Sequence, residues 1–106
     1  MLYDVRTYVC RAGTIKAHLA IYAEYGFEVQ KKHLGEPLAY LQTETGNVNS
    51  YLHIWGYQDA QDRAQRRTAM QADPKWADYV KRSGEAGYLE SQNTQLMTPV
   101  SFFSPK

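Results

Sequence analysis

The stretch "NSYLHIWGY", residues 49–57, decides how this chain can fold. As one β-strand, its period of two sends Tyr51, His53, Trp55 and Tyr57 to one face and Leu52, Ile54 and Gly56 to the other. Neither face suits water, and the aromatic one carries a histidine. One side of the strand is expected under helices, and the other has to meet a partner or a ligand.

Immediately before it, "TGNVNS" is too short for a helix, so a strand from about Leu38 to Glu44 and the strand at 50–57 are expected to form an antiparallel hairpin. Upstream, Leu2 to Cys10 is rich in Tyr, Val and Thr and reads as the first strand. Tyr3, Val5, Thr7 and Val9 share one of its faces; Leu2, Asp4, Arg6, Tyr8 and Cys10 share the other. Thr14 is placed to cap a helix to about Lys32, with Ile15, Leu19, Tyr22, Gly26 and Val29 as its apolar stripe. Gly26 costs such a helix about 1 kcal/mol against alanine, so a bend or close packing is expected there. Gly35 and Pro37 end it.

Downstream, Asp59 or Asp62 begins a second helix, "DAQDRAQRRTAMQA". Asp73-Pro74 restarts the chain as a short helix with Trp76, Tyr79 and Val80 on its apolar side. Tyr88 to Met97 supplies the last strand, and residues 98–106 form a tail with adjacent Phe102 and Phe103. The order βαββαβ predicts an α+β, ferredoxin-like sandwich with a four-stranded antiparallel sheet and its helices on one face. The small Leu52, Ile54 and Gly56 side is expected to lie under the helices. The large Tyr51, His53, Trp55 and Tyr57 side is then open, joined by Arg6, Tyr8 and Tyr40. A patch beyond several hundred square ångströms is uncommon on a soluble monomer. Two such sheets facing across a twofold axis would bury it, which predicts a homodimer, a dimeric α/β barrel. The tail, "TPVSFFSP", is expected to cross to the partner or to seal a sheet edge.

Composition narrows the classes further. A chain of 106 residues predicts a single domain, 1–106. Its formal charge of +1 makes no electrostatic case for nucleic acid or an acidic membrane. No apolar run approaches the roughly 20 residues that span a bilayer, so no membrane insertion is expected. The start, "MLYDVRTYVCRAG", carries charges within its apolar stretch and does not read as a signal peptide. The lone Cys10 excludes an intrachain disulfide and a cysteine-based zinc site, and a cytoplasmic protein is expected. With 9 Tyr, 2 Trp and 3 Phe, the chain is rich in side chains suited to half-buried and ligand-facing surfaces.

Three segments, "DVRTYVCRAG", "YGFEVQKKHLGEPLAYLQTETGNVNSYLHIWGYQDAQDRAQRRTAMQADPKW" and "LMTPVSFFSP", occur in this order over nearly the whole chain, and together the chain resembles the NIPSNAP family. The resemblance implies the dimeric α/β-barrel fold, a group that includes small monooxygenases and haem-degrading enzymes. It implies no particular catalysis. The family often has histidine just before the mid-helix glycine, where this chain has Tyr25. A family role resting on that histidine is therefore not expected here.

Each candidate site residue has a functional and a structural reading. His53, beside Trp55 and with Arg6 on the neighbouring strand, can orient or exchange a proton with an acidic or enolic ligand. It can equally be an interior histidine bonded to a tyrosine or the backbone. His33 is either a lip of the cavity or a helix-end residue favoured by the macrodipole. Arg6 and Arg67 can each hold a carboxylate in bidentate geometry, or pair with Asp4 or Glu90. Tyr8, Tyr22, Tyr40 and Tyr51 offer hydroxyls to a pocket or simply build a tyrosine-rich core. Trp76 is expected to plug the gap between the short helix and the sheet. Arg63, Arg66 and Arg67, balanced by Asp59, Asp62 and Asp73, read as a solvated helix face.

No cofactor is expected. There is no GxGxxG or phosphate loop, and His18, His33 and His53 form no HExxH or other close metal-ligand pattern. A lone histidine can ligate haem iron, as in haem-degrading relatives of the fold, but no motif supports that here. Two functional classes follow. One is a homodimeric domain binding a small hydrophobic or aromatic molecule or a protein partner. The other is a cofactor-independent monooxygenase or isomerase acting on an aromatic or enolic substrate. An open cavity with converging His53 and Arg6 would favour the second, and a filled interior the first.

Overall fold

The computed structural model describes residues 1–104. The chain runs β1 (Leu2–Cys10), α1 (Ile15–Ile21), a π-helical turn (Tyr22–Gly26), α2 (Phe27–Leu34), β2 (Ala39–Gln42), β3 (Ser50–Tyr57), α3 (Ala60–Gln71), α4 (Pro74–Ala86) and β4 (Leu89–Met97). The four strands form one sheet in the order β2-β3-β1-β4, and every neighbouring pair is antiparallel. This is the expected ferredoxin-like α+β sandwich.

Local chemistry accounts for the element ends. Asp59 caps α3 by accepting from the backbone N–H of Asp62, and Asp73 caps α4 by accepting from that of Lys75, with Pro74 in the first turn. The helix behind Asp73 is longer than expected, because Gly84 does not break it. It stops only at Gly87, whose left-handed φ of 65° turns the chain towards β4. The first helix is continuous through α1 and α2 but widens at Tyr22–Gly26. A Cβ at Gly26 would lie 2.9 Å from ring carbons of Tyr22 and Tyr79, so only glycine lets α4 approach this turn. β2 is shorter than the predicted strand, keeping only its four central residues.

The orientation of β3 is the reverse of the sequence expectation. The registers put Asp4 opposite Trp55, Arg6 opposite His53, Tyr8 opposite Tyr51 and Tyr40 opposite His53, so these side chains do share one face. That face lies beneath the helices. Tyr51, His53, Trp55 and Tyr57 are each buried, whereas Leu52, Ile54 and Gly56 are only half-buried. Trp55 and Tyr57 pack with Leu34 of α2 and Met70 of α3, and Trp76 of α4 covers this cluster. At the other end Tyr51 packs with Cys10 and Ile15. The physical reason is volume. Aromatic side chains bury roughly 150–250 Å² each and can fill the space between a sheet and its helices; Leu52, Ile54 and a glycine cannot. The open face is instead aliphatic over β1–β3, where it carries Val5, Val9, Leu41, Leu52 and Ile54 around Thr7, and polar along β4, where Ser91, Asn93 and Gln95 stand beside β1.

Phe102 and Phe103 are exposed, so the described part of the tail seals no edge of its own chain. Residues 105 and 106, the end of the tail expected over 98–106, lie outside the described residues. No helix among the described residues is long and apolar enough to cross a membrane.

Candidate functional site

A cavity of about 370 Å³ lies between the sheet and the helices. β1 contributes Arg6 and Tyr8, β2 contributes Tyr40, and β3 contributes Tyr51 and His53. The helical side supplies Tyr22 from the π-helical turn, Gln30 from α2, Arg67 from α3, and Trp76, Tyr79 and Ser83 from α4. Gln92 of β4 reaches it from the sheet edge. The period-two alternation of three strands therefore delivers one face of each to a common space, and no carboxylate among the described residues lines it.

His53 is 1% exposed and its ring stacks on Tyr40, with centroids 4.7 Å apart and planes 6° apart. The Trp55 indole N–H donates to His53 Nδ1 at 2.5 Å. Because an indole only donates, Nδ1 is an acceptor and the proton of the neutral imidazole sits on Nε2. Nε2 has no partner among the described residues. Burial, and then the Arg6 charge, push the His53 pKa down to about 3, so the ring is neutral at physiological pH. His53 thus presents an N–H donor to the cavity rather than a base.

Charge enters from a cluster at the end of the cavity. The buried carboxylate of Asp4 accepts from Arg6 Nε at 3.0 Å and from Arg63 Nε at 2.9 Å. A buried carboxylate is tolerable only with such partners, which explains why two guanidiniums converge on it. Burial works against the Arg6 charge, but Tyr8 and Asp4 outweigh it and hold the group firmly protonated. Arg67 has no acidic partner among the described residues, and burial and repulsion from Arg6 and Arg63 lower its pKa.

Hydroxyls complete the lining. Tyr22 donates to Gln30 Oε1, and the Tyr51 hydroxyl lies 2.7 Å from Nε2 of buried His18. Burial raises the pKa of Tyr22, Tyr40, Tyr51 and Tyr79, so all four remain protonated phenols at neutral pH. The cavity is therefore rich in donors and flat apolar walls, and poor in bases.

Of the residues singled out from sequence, His53, Arg6, Tyr8, Tyr40, Tyr51 and Arg67 line this space. Trp55 stands behind His53 and orients it. His33 is elsewhere: its Nε2 lies 2.8 Å from Asp73 Oδ2, tying α2 to the start of α4. It is no lip of the cavity, because in the last turn of α2 its ring faces the N-cap of α4. Arg63 is not part of a solvated face but a ligand of Asp4. His18 is a core residue outside the expected apolar stripe, although its spacing of three from Ile15 and four to Tyr22 fits the buried face better than the half-buried Leu19 does. Gln30, Ser83 and Gln92 carried no local signal.

The NIPSNAP family model matches residues 3–105. The chain belongs to the NIPSNAP family. A NIPSNAP family protein of unknown function from Agrobacterium tumefaciens is 36% identical, with a TM-score of 0.87 over 97% of this chain and 91% of that one. A protein NipSnap homolog from Dictyostelium discoideum is 28% identical over 99 residues, 93% of this chain. This NIPSNAP domain spans only 43% of that relative's length. An antibiotic biosynthesis monooxygenase is 20% identical, with a TM-score of 0.66 over 94% of this chain and 99% of that one. At that identity the likeness is one of fold, and it places the NIPSNAP domain among ferredoxin-like α/β proteins.

Proposed function

We propose that this NIPSNAP domain binds a small planar, largely hydrophobic molecule in the cavity between sheet and helices. One observation carries the reading: the buried His53 Nε2–H has no acceptor among the described residues and borders a cavity walled by aromatic rings. Leaving such a donor unpaired costs about 1–3 kcal/mol, which a bound acceptor would recover. The volume falls within the usual range for small-molecule sites. Binding is favoured over the monooxygenase or isomerase alternative because the lining supplies no neutral-pH base.

We further propose a homodimer assembled through the open sheet face. Its support is the aliphatic stripe of Val5, Val9, Leu52 and Ile54, which a single chain leaves half-buried, and the exposed Phe102 and Phe103 of a tail that can cross to a partner. A cytoplasmic location is proposed with it, supported by the unbridged thiol of Cys10.

The test of the cavity uses 2-naphthol, a neutral planar probe, titrated while NMR follows side-chain N–H signals. Saturable shifts are expected at the Trp76 indole and the Gln30 and Gln92 amides, with none at Gln65 on the outer face of α3. Shifts that do not saturate, or that spread equally to Gln65, would remove the proposal.

A further inference from the structure

We propose that Arg67 makes this cavity selective for organic anions: a planar carboxylate whose charge Arg67 balances while one oxygen accepts the His53 Nε2–H. The inference rests on the cavity being a binding site and adds the chemical class of its occupant.

Three guanidiniums, those of Arg6, Arg63 and Arg67, gather around a single carboxylate, that of Asp4. Asp4 is fully used: Arg6 meets both of its oxygens, at 3.0 and 3.4 Å, and Arg63 meets Oδ2. Arg67 is left over, half-buried at the cavity wall and repelled by its two neighbours. Among the described residues no carboxylate lines the cavity to relieve it. A half-desolvated guanidinium without a counter-ion favours whatever anion can reach it, and a carboxylate matches its fork.

Hydrogen-bond polarity points the same way. With Nδ1 occupied by Trp55, His53 can only donate from Nε2. The Tyr8 hydroxyl accepts from Arg6 Nη1 and so keeps its own proton for a ligand. His53 Nε2 has no acceptor among the described residues, the cavity's other side chains offer only neutral hydroxyl and amide oxygens, and the missing partner is a stronger, charged oxygen acceptor. Against a wall lined by the rings of Tyr22, Tyr40 and Tyr51, that partner is expected to be flat. Arg6 does not serve as the ionic anchor because its charge is already committed to Asp4, which is why Arg67 is the residue to test.

The experiment compares 2-naphthoate with 2-naphthamide, equal in shape and unequal in charge, by calorimetry on the full chain. The wild type is expected to bind the carboxylate at least tenfold more tightly than the amide. Arg67→Gln should erase that preference, bringing the carboxylate and the amide to equal affinity in the same variant, and Arg67→Lys should keep part of it. Equal affinities in the wild type, or a preference that survives Arg67→Gln, would overturn the assignment of anion selectivity to Arg67. Amide binding without preference leaves the cavity reading intact and removes this one; failure of both ligands to bind removes both. Should Arg67→Gln not fold, Arg67→Met, which keeps the aliphatic stem, takes its place with the same expected loss of preference and the same overturning result.

Discussion

Lowering the pH from 7.5 to 5.0 should weaken the fold by about 2 kcal/mol through His53 alone. The folded-state pKa of His53 is pushed down to about 3, first by burial and then by Arg6, while its ordinary value is 6.5. Between those values the unfolded chain binds the proton and the folded chain does not. The contribution is therefore complete above pH 6.5 and is lost as the pH falls towards 3. Each pH unit in that window is worth about 1.4 kcal/mol, so 6.5 to 5.0 gives about 2 kcal/mol. His18, also lowered by burial, adds in the same direction. Asp62 and Asp73 are held below the usual carboxylate range and are silent above pH 5. Urea unfolding at one fixed protein concentration, at both pH values, measures the loss. His53→Gln offers an acceptor to Trp55 and a donor to the cavity but cannot titrate. Its loss between the two pH values should be smaller than that of the wild type by about 2 kcal/mol, whatever its absolute stability. Equal losses in both proteins would refute the buried, neutral His53.

Two further changes test the packing and the assembly. Gly26→Ala should lower stability by about 1–2 kcal/mol in urea unfolding, because the added carbon overlaps the Tyr22 and Tyr79 rings and overpacking outweighs the gain in helix propensity; a raised midpoint would show that α4 does not press on the π-helical turn. Ile54→Asp should convert the proposed homodimer to monomer in sedimentation equilibrium at micromolar concentration, since it sets a charge in the middle of the aliphatic face. A variant that stays dimeric would place the interface elsewhere, and a wild-type monomer at high concentration would end the proposal.

Strand and helix periodicities, with the Asp59 and Asp73-Pro74 start signals and Gly87 as a stop, are local properties, so the order βαββαβ and the antiparallel hairpin were legible from the residues themselves. The period of two also sorted β3 into its two faces correctly and joined Arg6, Tyr8 and Tyr40 to the aromatic one. What alternation cannot say is which face the helices cover, because both faces of β3 are apolar and the pattern is symmetric between them. That choice belongs to the tertiary structure, where the volume between sheet and helices is filled by four rings and leaves the aliphatic side outward. The same choice turned His53 from a residue at an exposed sheet face into a buried donor. It also joined Arg63 to Asp4 across 59 positions of sequence. Such a pair leaves no local trace, since neither residue's neighbours in the chain reveal that the other will arrive, and only the docking of α3 against β1 decides which arginine is paired and which is left facing the cavity.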